Sequence, residues 1–349
     1  MRASKVITAV EAHAEGEGGR VITAGLPKLH GNSVKEKMLY MAAHHDDIRT
    51  LMLQEPRGNP ALCCNAIVTP CHPEADAGFI IMEQTEYPPM SGSNTICVVT
   101  ALLETGVIEM QEPVTHLTLE APAGLIQVEA TCKDGKVERV NFQNVPAFAM
   151  HLDITLDVPG FGDITADIAW GGMFYVIADA RQFGLSLTSK EGFEIVKACE
   201  AMLAASRART PVTHPTDPTF TGPTISQLTA PPDAEGHDGI SAVSVSGGPY
   251  KTRGITGALD RSPCGTGTCA KMAVLHAKGL LKPGQDYVNA GPLRTTFTGR
   301  IEDTTTVGDR AAIIPSLSGR GWISGLSQYT LDPSDPFQTG FTLGDIWAD

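Results

Sequence analysis

The sequence is short of basic charge, of long apolar runs and of paired metal-ligand spacings. Of its 349 residues, 26 are Lys or Arg and 39 are Asp or Glu, a formal net charge of −13. Nucleic-acid and anionic-membrane surfaces need a basic footprint, so the deficit argues against both partners. No apolar run approaches the ~20 residues that a membrane-spanning helix requires. The start, Met1-Arg2-Ala3-Ser4-Lys5, leads into a strand-like VITAV without a signal-peptide core or cleavage site. Among eight cysteines the tightest group is Cys63-Cys64 with Cys71-His72, and no second pair follows to complete a four-ligand zinc site. Without a secretion signal, free thiols are expected rather than disulfides. These absences leave a soluble, cytoplasmic protein, and its length suggests about two domains.

Apolar residues at 42% and charged residues at 19% are ordinary for a packed globular chain. Glycine at 36 and proline at 24 favour turns and short strands over long helical bundles. Alternating or β-branched runs predict strands at 5–10, 19–24, 66–70, 77–82, 115–119, 125–131, 136–145, 173–179, 240–246, 293–300 and 311–317. Fewer helices are expected. One is 34–47, ending in a polar HHDD turn. Another follows the Thr188/Glu191 capping box, with Ile195, Val196, Cys199, Met202 and Leu203 as its apolar stripe. The Pro- and Thr-dense stretch 210–233 reads as a flexible linker, although Ile225 and Leu228 would also suit an ordered loop.

An internal repeat is more informative. Ser91-Gly92-Ser93-Asn94-Thr95 and Cys264-Gly265-Thr266-Gly267-Thr268 each open with a nucleophile-type residue and glycine, and each places Thr at the fifth position. Each continues through an apolar helical stretch to a glycine, Gly106 and Gly279, and each follows a proline-containing turn. The two elements lie 173 residues apart, about half the chain, which suggests a duplicated fold. A small-residue turn opening a helix leaves backbone N–H groups without intrahelical partners, and with the helix dipole these make an anion site. A thiol there is expected to have its pKa lowered toward neutrality and to serve as a base. Two such helix starts suit proton abstraction beside a carboxylate, where enolate charge develops. The alternatives fit less well. CGTGTC lacks the GKS/T of a P-loop, no G-x-G-x-x-G opens a helix, and Pro89 breaks a serine-hydrolase elbow around Ser91.

Asp260-Arg261-Ser262-Pro263-Cys264-Gly265-Thr266-Gly267-Thr268 resembles the second active-site motif of the proline racemase family. Pro89-Met90-Ser91-Gly92-Ser93-Asn94-Thr95-Ile96 resembles its first, usually M-C-G-H-G/N-T-I. Further matches are Glu55-Pro56-Arg57-Gly58, Pro73-Glu74-Ala75-Asp76, Gly171-Gly172 before Phe174-Tyr175, Gly299-Arg300, and the closing Pro315-Ser316-Leu317-Ser318-Gly319-Arg320-Gly321. The resemblance implies an α/β (α+β) fold of two similar domains shared with diaminopimelate epimerase, each wrapping strands around a central helix, with an active site in the cleft between them. One half would comprise 1–128 with about 309–349 and carry Ser91. The other would be 129–308 and carry Cys264. By position, Ser91 and Cys264 would be the acid/base pair. Gly92, Ser93, Gly265 and Thr266 would hold a substrate carboxylate, and Asp260 would meet a ring ammonium. His13, Glu15, His72 and His237 also stand out, but single histidines are more often structural than catalytic, and these residues are left out of the expected site.

The departures from the pattern point to a subgroup. Racemases and epimerases of the family usually carry two cysteines, but here the first is Ser91 and the usual histidine is Ser93. A serine hydroxyl is far less acidic than a thiol of pKa ~8.5, so symmetric two-thiol exchange is disfavoured. Asymmetric chemistry remains: loss of an α-proton and of a neighbouring hydroxyl, as in the family's trans-3-hydroxy-L-proline dehydratases, giving 1-pyrroline-2-carboxylate. Either Ser91 or Cys264 could be the base. Neither cofactor nor metal is needed, the partner is a small hydroxyproline, and the sequence is compatible with a homodimer. The alternatives are a 4-hydroxyproline 2-epimerase and, less favoured because Cys264 is kept, a non-catalytic binder of proline derivatives.

Overall fold

The computed structural model describes residues 4–246, 257–344 and 346–347, so residues 1–3 of the N-terminal segment lie outside it. The chain divides into two compact units, Met1–Phe142 with Gly319–Trp347, and Gln143–Ser318. The expected boundaries at 128 and 308 differ from these, because each would cut a hydrogen-bonded ladder. Gly124–Lys133 pairs with strands on both sides. Thr296–Val307 forms a hairpin with Arg310–Gly319.

The first unit is an eight-stranded sheet. Its strand order is Gly321–Leu331, Lys5–Ala14, Glu17–Ala24, Cys63–Val68, Ala77–Met82, Val114–Ala121, Gly124–Lys133 and Lys136–Gln143. Successive pairings run antiparallel, antiparallel, parallel, antiparallel, parallel, antiparallel, antiparallel. A parallel pair needs a crossover, and helices supply both. Helices α1 (Val34–His44) and α2 (Asp46–Leu53) fill the first, and α3 (Gly92–Glu104) fills the second. The expected single helix over 34–47 is instead two, broken at His45, whose φ of −143° and ψ of 29° leave the helical region. Apolar side chains of α1 and α2 (Val34, Met41, Ile48, Leu51) pack with Ile7, Ile22, Cys64, Ile80 and Met82 of the sheet. Helix α3 is buried along twelve of its thirteen residues, as befits a helix that is small and apolar all round.

The second unit repeats this plan. Its strands are Phe148–Val158, Gly162–Trp170, Phe174–Asp179, Ile225–Ala230, Gly239–Ser246, Asp286–Ala290, Thr296–Val307 and Arg310–Gly319, with the same order of antiparallel and parallel pairings. A short strand, Gly257–Leu259, adds to the side of Gly239–Ser246. Helix α4 (Gly192–Arg209) occupies the first crossover and α5 (Gly265–Ala277) the second. The predicted stripe of α4 is buried throughout. The linker reading of 210–233 is overturned: Ile225 and Leu228 are buried on a strand paired to both neighbours, so their apolar side chains hold the segment in the core. Like α3, α5 has thirteen residues, and both helices are followed by a glycine at φ 73°. The fold is of the α/β class with two similar units, and the repeat seen in the motifs extends to every strand pairing.

Candidate active site

Both motifs stand at the N-terminus of their unit's buried helix. In the first unit Ser91 is the N-cap of α3, in extended backbone, with Gly92 and Ser93 in the first turn. Ser91 carbonyl oxygen accepts the first helical bond from Thr95 N at 3.0 Å and a second from Thr95 Oγ1 at 2.8 Å. Its hydroxyl accepts from Asn94 Nδ2 at 2.9 Å and from Asn94 N at 3.5 Å. Ser93 Oγ lies 3.4 Å away. Asn94 is itself oriented. Asn65 Nδ2 donates to Arg20 O at 3.5 Å and to Asn94 Oδ1 at 2.6 Å, which turns the Asn94 amino group toward Ser91. Gly19 permits this packing, since a Cβ there would stand 3.1 Å from Asn94 Oδ1 and 2.7 Å from Cys97 Sγ.

In the second unit Cys264 caps α5 at φ 61°, a backbone region in which a non-glycine residue costs about 1–3 kcal/mol. The approach to it is pinned by two bonds: Ser262 N donates to Asp260 Oδ1 at 2.7 Å, and Cys264 N donates to Ser262 Oγ at 3.0 Å. Beyond it, Thr268 N and Oγ1 bond Cys264 O at 2.9 and 2.6 Å, the counterpart of Thr95 on Ser91. Asn289 Nδ2 then bonds Thr268 Oγ1 at 2.8 Å. Gly171 crosses the helix start so closely that a Cβ would stand 2.2 Å from Thr266 O. That contact explains the Gly-Gly turn before Phe174-Tyr175.

A tyrosine hydroxyl reaches the sulfur. Tyr175 Oη is 3.4 Å from Cys264 Sγ and 2.6 Å from Thr266 Oγ1. The Gly267 backbone N–H favours the charged form of the thiol. A Cβ at Gly267 would come within 3.1 Å of the sulfur and 2.8 Å of Gln227 Oε1, so glycine keeps this space open. Burial pushes the Cys264 thiol well above the ordinary cysteine range, and the Asp260 carboxylate adds to the rise, while the Tyr175 and Gly267 donors oppose it. The expected lowering toward neutrality is therefore corrected. At 7% exposure, loss of water outweighs the helix-start donors.

The structure thus gathers Ser91, Gly92 and Ser93 at one helix start and Asp260, Cys264, Gly265 and Thr266 at the other. It adds Asn94, Asn65, Tyr175 and Gln227, to which the sequence assigned no role. Asn94 and Tyr175 lay inside matched motifs, which was the available signal. Among the described residues no three His, Cys, Asp or Glu converge as a metal site would require. Cys63 instead lies beside Glu17 at 3.6 Å and Glu83 at 3.9 Å. His13 stacks on Trp322, and His237 bonds Asp233. No described helix is long and apolar enough to cross a membrane.

Comparison with known proteins agrees with the motifs. The family model for proline racemase matches residues 9–342, and the chain belongs to the proline racemase family. A hydroxyproline epimerase from Agrobacterium vitis, solved with bound trans-4-hydroxy-L-proline, is 36% identical with a TM-score of 0.90, over 99% of this chain and 98% of that one. A probable proline racemase from Agrobacterium radiobacter K84, solved with bound carbonate, is 38% identical with a TM-score of 0.90, over 98% of each chain. A PhzF-family phenazine biosynthesis protein from Bacillus anthracis shares the fold at 10% identity and a TM-score of 0.57, over 93% of this chain and 99% of that one.

Proposed function

We propose that this enzyme dehydrates trans-3-hydroxy-L-proline, with Cys264 as its acid/base residue. The observation that carries the reading is the hydrogen bonding of Ser91. Its oxygen receives Asn94 Nδ2 and N, and among the described residues its remaining side-chain partner is Ser93 Oγ at 3.4 Å. Among the described residues no imidazole, carboxylate or amine bonds the Ser91 hydroxyl to take its proton, so Ser91 is poorly equipped as a base. Inversion at Cα needs two acid/base groups. Dehydration of the trans-3-hydroxy compound needs one, because its carboxylate and hydroxyl are trans and the α-hydrogen therefore shares a ring face with the hydroxyl.

In this scheme the Cys264 thiolate takes the α-proton and the C–H electron pair becomes the C2–C3 double bond. The C3–O bond breaks, and the new thiol returns its proton to the departing hydroxide. Water and an enamine result, and the enamine tautomerises to 1-pyrroline-2-carboxylate. Backbone N–H groups at Gly92, Ser93, Gly265 and Thr266 are proposed to bind the carboxylate and its developing charge. Asp260 is proposed to receive the ring ammonium, which would cancel the carboxylate charge that opposes thiolate formation.

Similarity to the A. vitis hydroxyproline epimerase favours a second reading, 4-hydroxyproline 2-epimerisation, with Ser91 returning a proton. The test is a panel of trans-3-hydroxy-L-proline, both 4-hydroxyproline epimers and proline, incubated in deuterium oxide and followed by NMR. Pyrroline-2-carboxylate from the 3-hydroxy compound alone is the expected result. Inverted 4-hydroxyproline carrying deuterium at Cα, without water loss from the 3-hydroxy compound, would establish the epimerase instead. Binding of a panel member with no turnover at all would favour the non-catalytic reading.

A further inference from the structure

We propose that Tyr175 is a positioning residue for Cys264, the middle of a hydroxyl chain from Thr266 that donates to the sulfur whenever it is a thiolate. The placement of its oxygen carries the argument. Tyr175 is 1% exposed and packs among Ala169, Met173, Ile177, Ile225, Val243 and Cys264, where phenylalanine would fill the same space without burying a hydroxyl. A buried phenol O–H needs partners. The ones it has are Thr266 Oγ1 at 2.6 Å and Cys264 Sγ at 3.4 Å. Thr266 lies in the first turn of α5, so the chain is tied to the helix start that caps at Cys264.

Both links join groups that can donate or accept, so the chain has two directions. With a thiolate, Thr266 O–H donates to Tyr175 Oη and Tyr175 O–H donates to sulfur. With a thiol, Cys264 S–H donates to Tyr175 and Tyr175 donates to Thr266. Rotation of two hydroxyls therefore satisfies either protonation state, and donation to the charged form is the stronger bond. Burial and the neighbouring thiol keep the Tyr175 phenol protonated well past its ordinary range, so it remains a donor whenever the sulfur is charged. Among the described residues, the titratable groups acting on the sulfur are Asp260, which opposes the thiolate, and Tyr175, which supports it.

The scheme in which Cys264 is the base rests on the dehydratase reading, but the effect on the sulfur does not, and the test needs no substrate. The rate of Cys264 alkylation by iodoacetamide, resolved by peptide mass spectrometry, is followed against pH in the whole protein, because only the thiolate reacts. In Tyr175→Phe the Cys264 midpoint is expected to rise by about one pH unit, slowing alkylation about ten-fold at any pH below both midpoints. Thr266→Val is expected to shift it the same way by less. An unmoved midpoint in folded Tyr175→Phe overturns the proposal. If that variant does not fold, an unmoved midpoint in Thr266→Val does so. Failure of the substrate panel would remove the dehydratase reading and leave this result intact.

Discussion

At the start of α3 the helix supplies a bulky amide, Asn94, and the neighbouring strand supplies Gly19. At the start of α5 the helix supplies Gly267 and the strand supplies Tyr175. The positions correspond: Asn94 and Gly267 are each third after the cap, and Gly19 pairs with Cys63 as Tyr175 pairs with Ile225, the first residue of the next strand. The volume beside the cap is thus filled from opposite sides. The exchange changes chemistry as well as packing. An amide N–H can only donate, so Asn94 fixes the Ser91 oxygen as an acceptor. A phenol can donate or accept, so Tyr175 tolerates Cys264 both charged and neutral. On the proposed reading, one half of the duplication holds the group that changes protonation state, and the other holds one that does not.

Replacing the capping residues strikes this contrast hardest. Cys264→Ser is expected to reduce both α-proton exchange and water loss on the order of 10³-fold or more, the scale of a lost general base. Ser91→Ala should keep exchange within about ten-fold of the parent, since it removes no base. Exchange measured by deuterium uptake, separately from water loss, decides the matter. Equal losses in the two variants would make Ser91 a base and erase the distinction between the halves.

A gentler break moves the volume without touching either cap. Gly267→Ala places a methyl 2.8 Å from Gln227 Oε1, which must move aside, and 3.1 Å from the Cys264 sulfur, which must give by a few tenths of an ångström. A displacement of about 1 Å at a reacting group costs about 100-fold, so this smaller shift is expected to lower kcat/KM by several-fold and by less than about 100-fold. Asn94→Ala removes a donor from Ser91 and is expected to cost less than that. If Asn94→Ala proved the more damaging, the catalytic weight would lie at α3.

Such details show which parts of the molecule were legible in the sequence. The helix starts were, because small residues, a cap and a Thr four residues on leave a local pattern, and the 173-residue spacing of the two exposed the duplication. Strands such as Gly124–Lys133 were legible for a similar reason, since one face is buried and the other wet in strict alternation. Phe148–Val158 was not, because bulges between Ala149, His151 and Ile154 break its alternation, nor was Gly162–Trp170, whose last five residues are buried without alternation. The break at His45 was hidden, as a polar HHDD reads as an ending when it is a second beginning. Tyr175 and Asn94 were visible as residues but not as partners. Their roles depend on strand register and on a glycine across the gap, and these exist only once the chain has folded. The pKa of Cys264 failed for the opposite reason: a helix start can be read locally, but the loss of water around it cannot.

That correction leads to the smallest expected effect, in the pH dependence. In the unliganded protein, burial and the Asp260 carboxylate hold the Cys264 thiol above the ordinary cysteine range. The thiolate is therefore scarce at neutral pH, and kcat/KM, which reports the free enzyme, should still be rising through the alkaline range. A secondary ammonium seated beside Asp260 cancels the charge that raises the thiol, so the thiolate forms at lower pH in the complex. The acid limb of kcat is then expected to lie about one pH unit below that of kcat/KM. Asp260→Asn removes the same charge from the free enzyme. It should lower the kcat/KM limb toward the kcat limb while raising KM, because the ammonium loses its partner. Full profiles of both parameters in the two proteins test this. Limbs that coincide in the parent would mean that the substrate cation does not act on the sulfur through Asp260. Helix-start donors and Tyr175 would then be the remaining means of forming the thiolate, and the contrast between the two caps would rest on hydroxyl and amide alone.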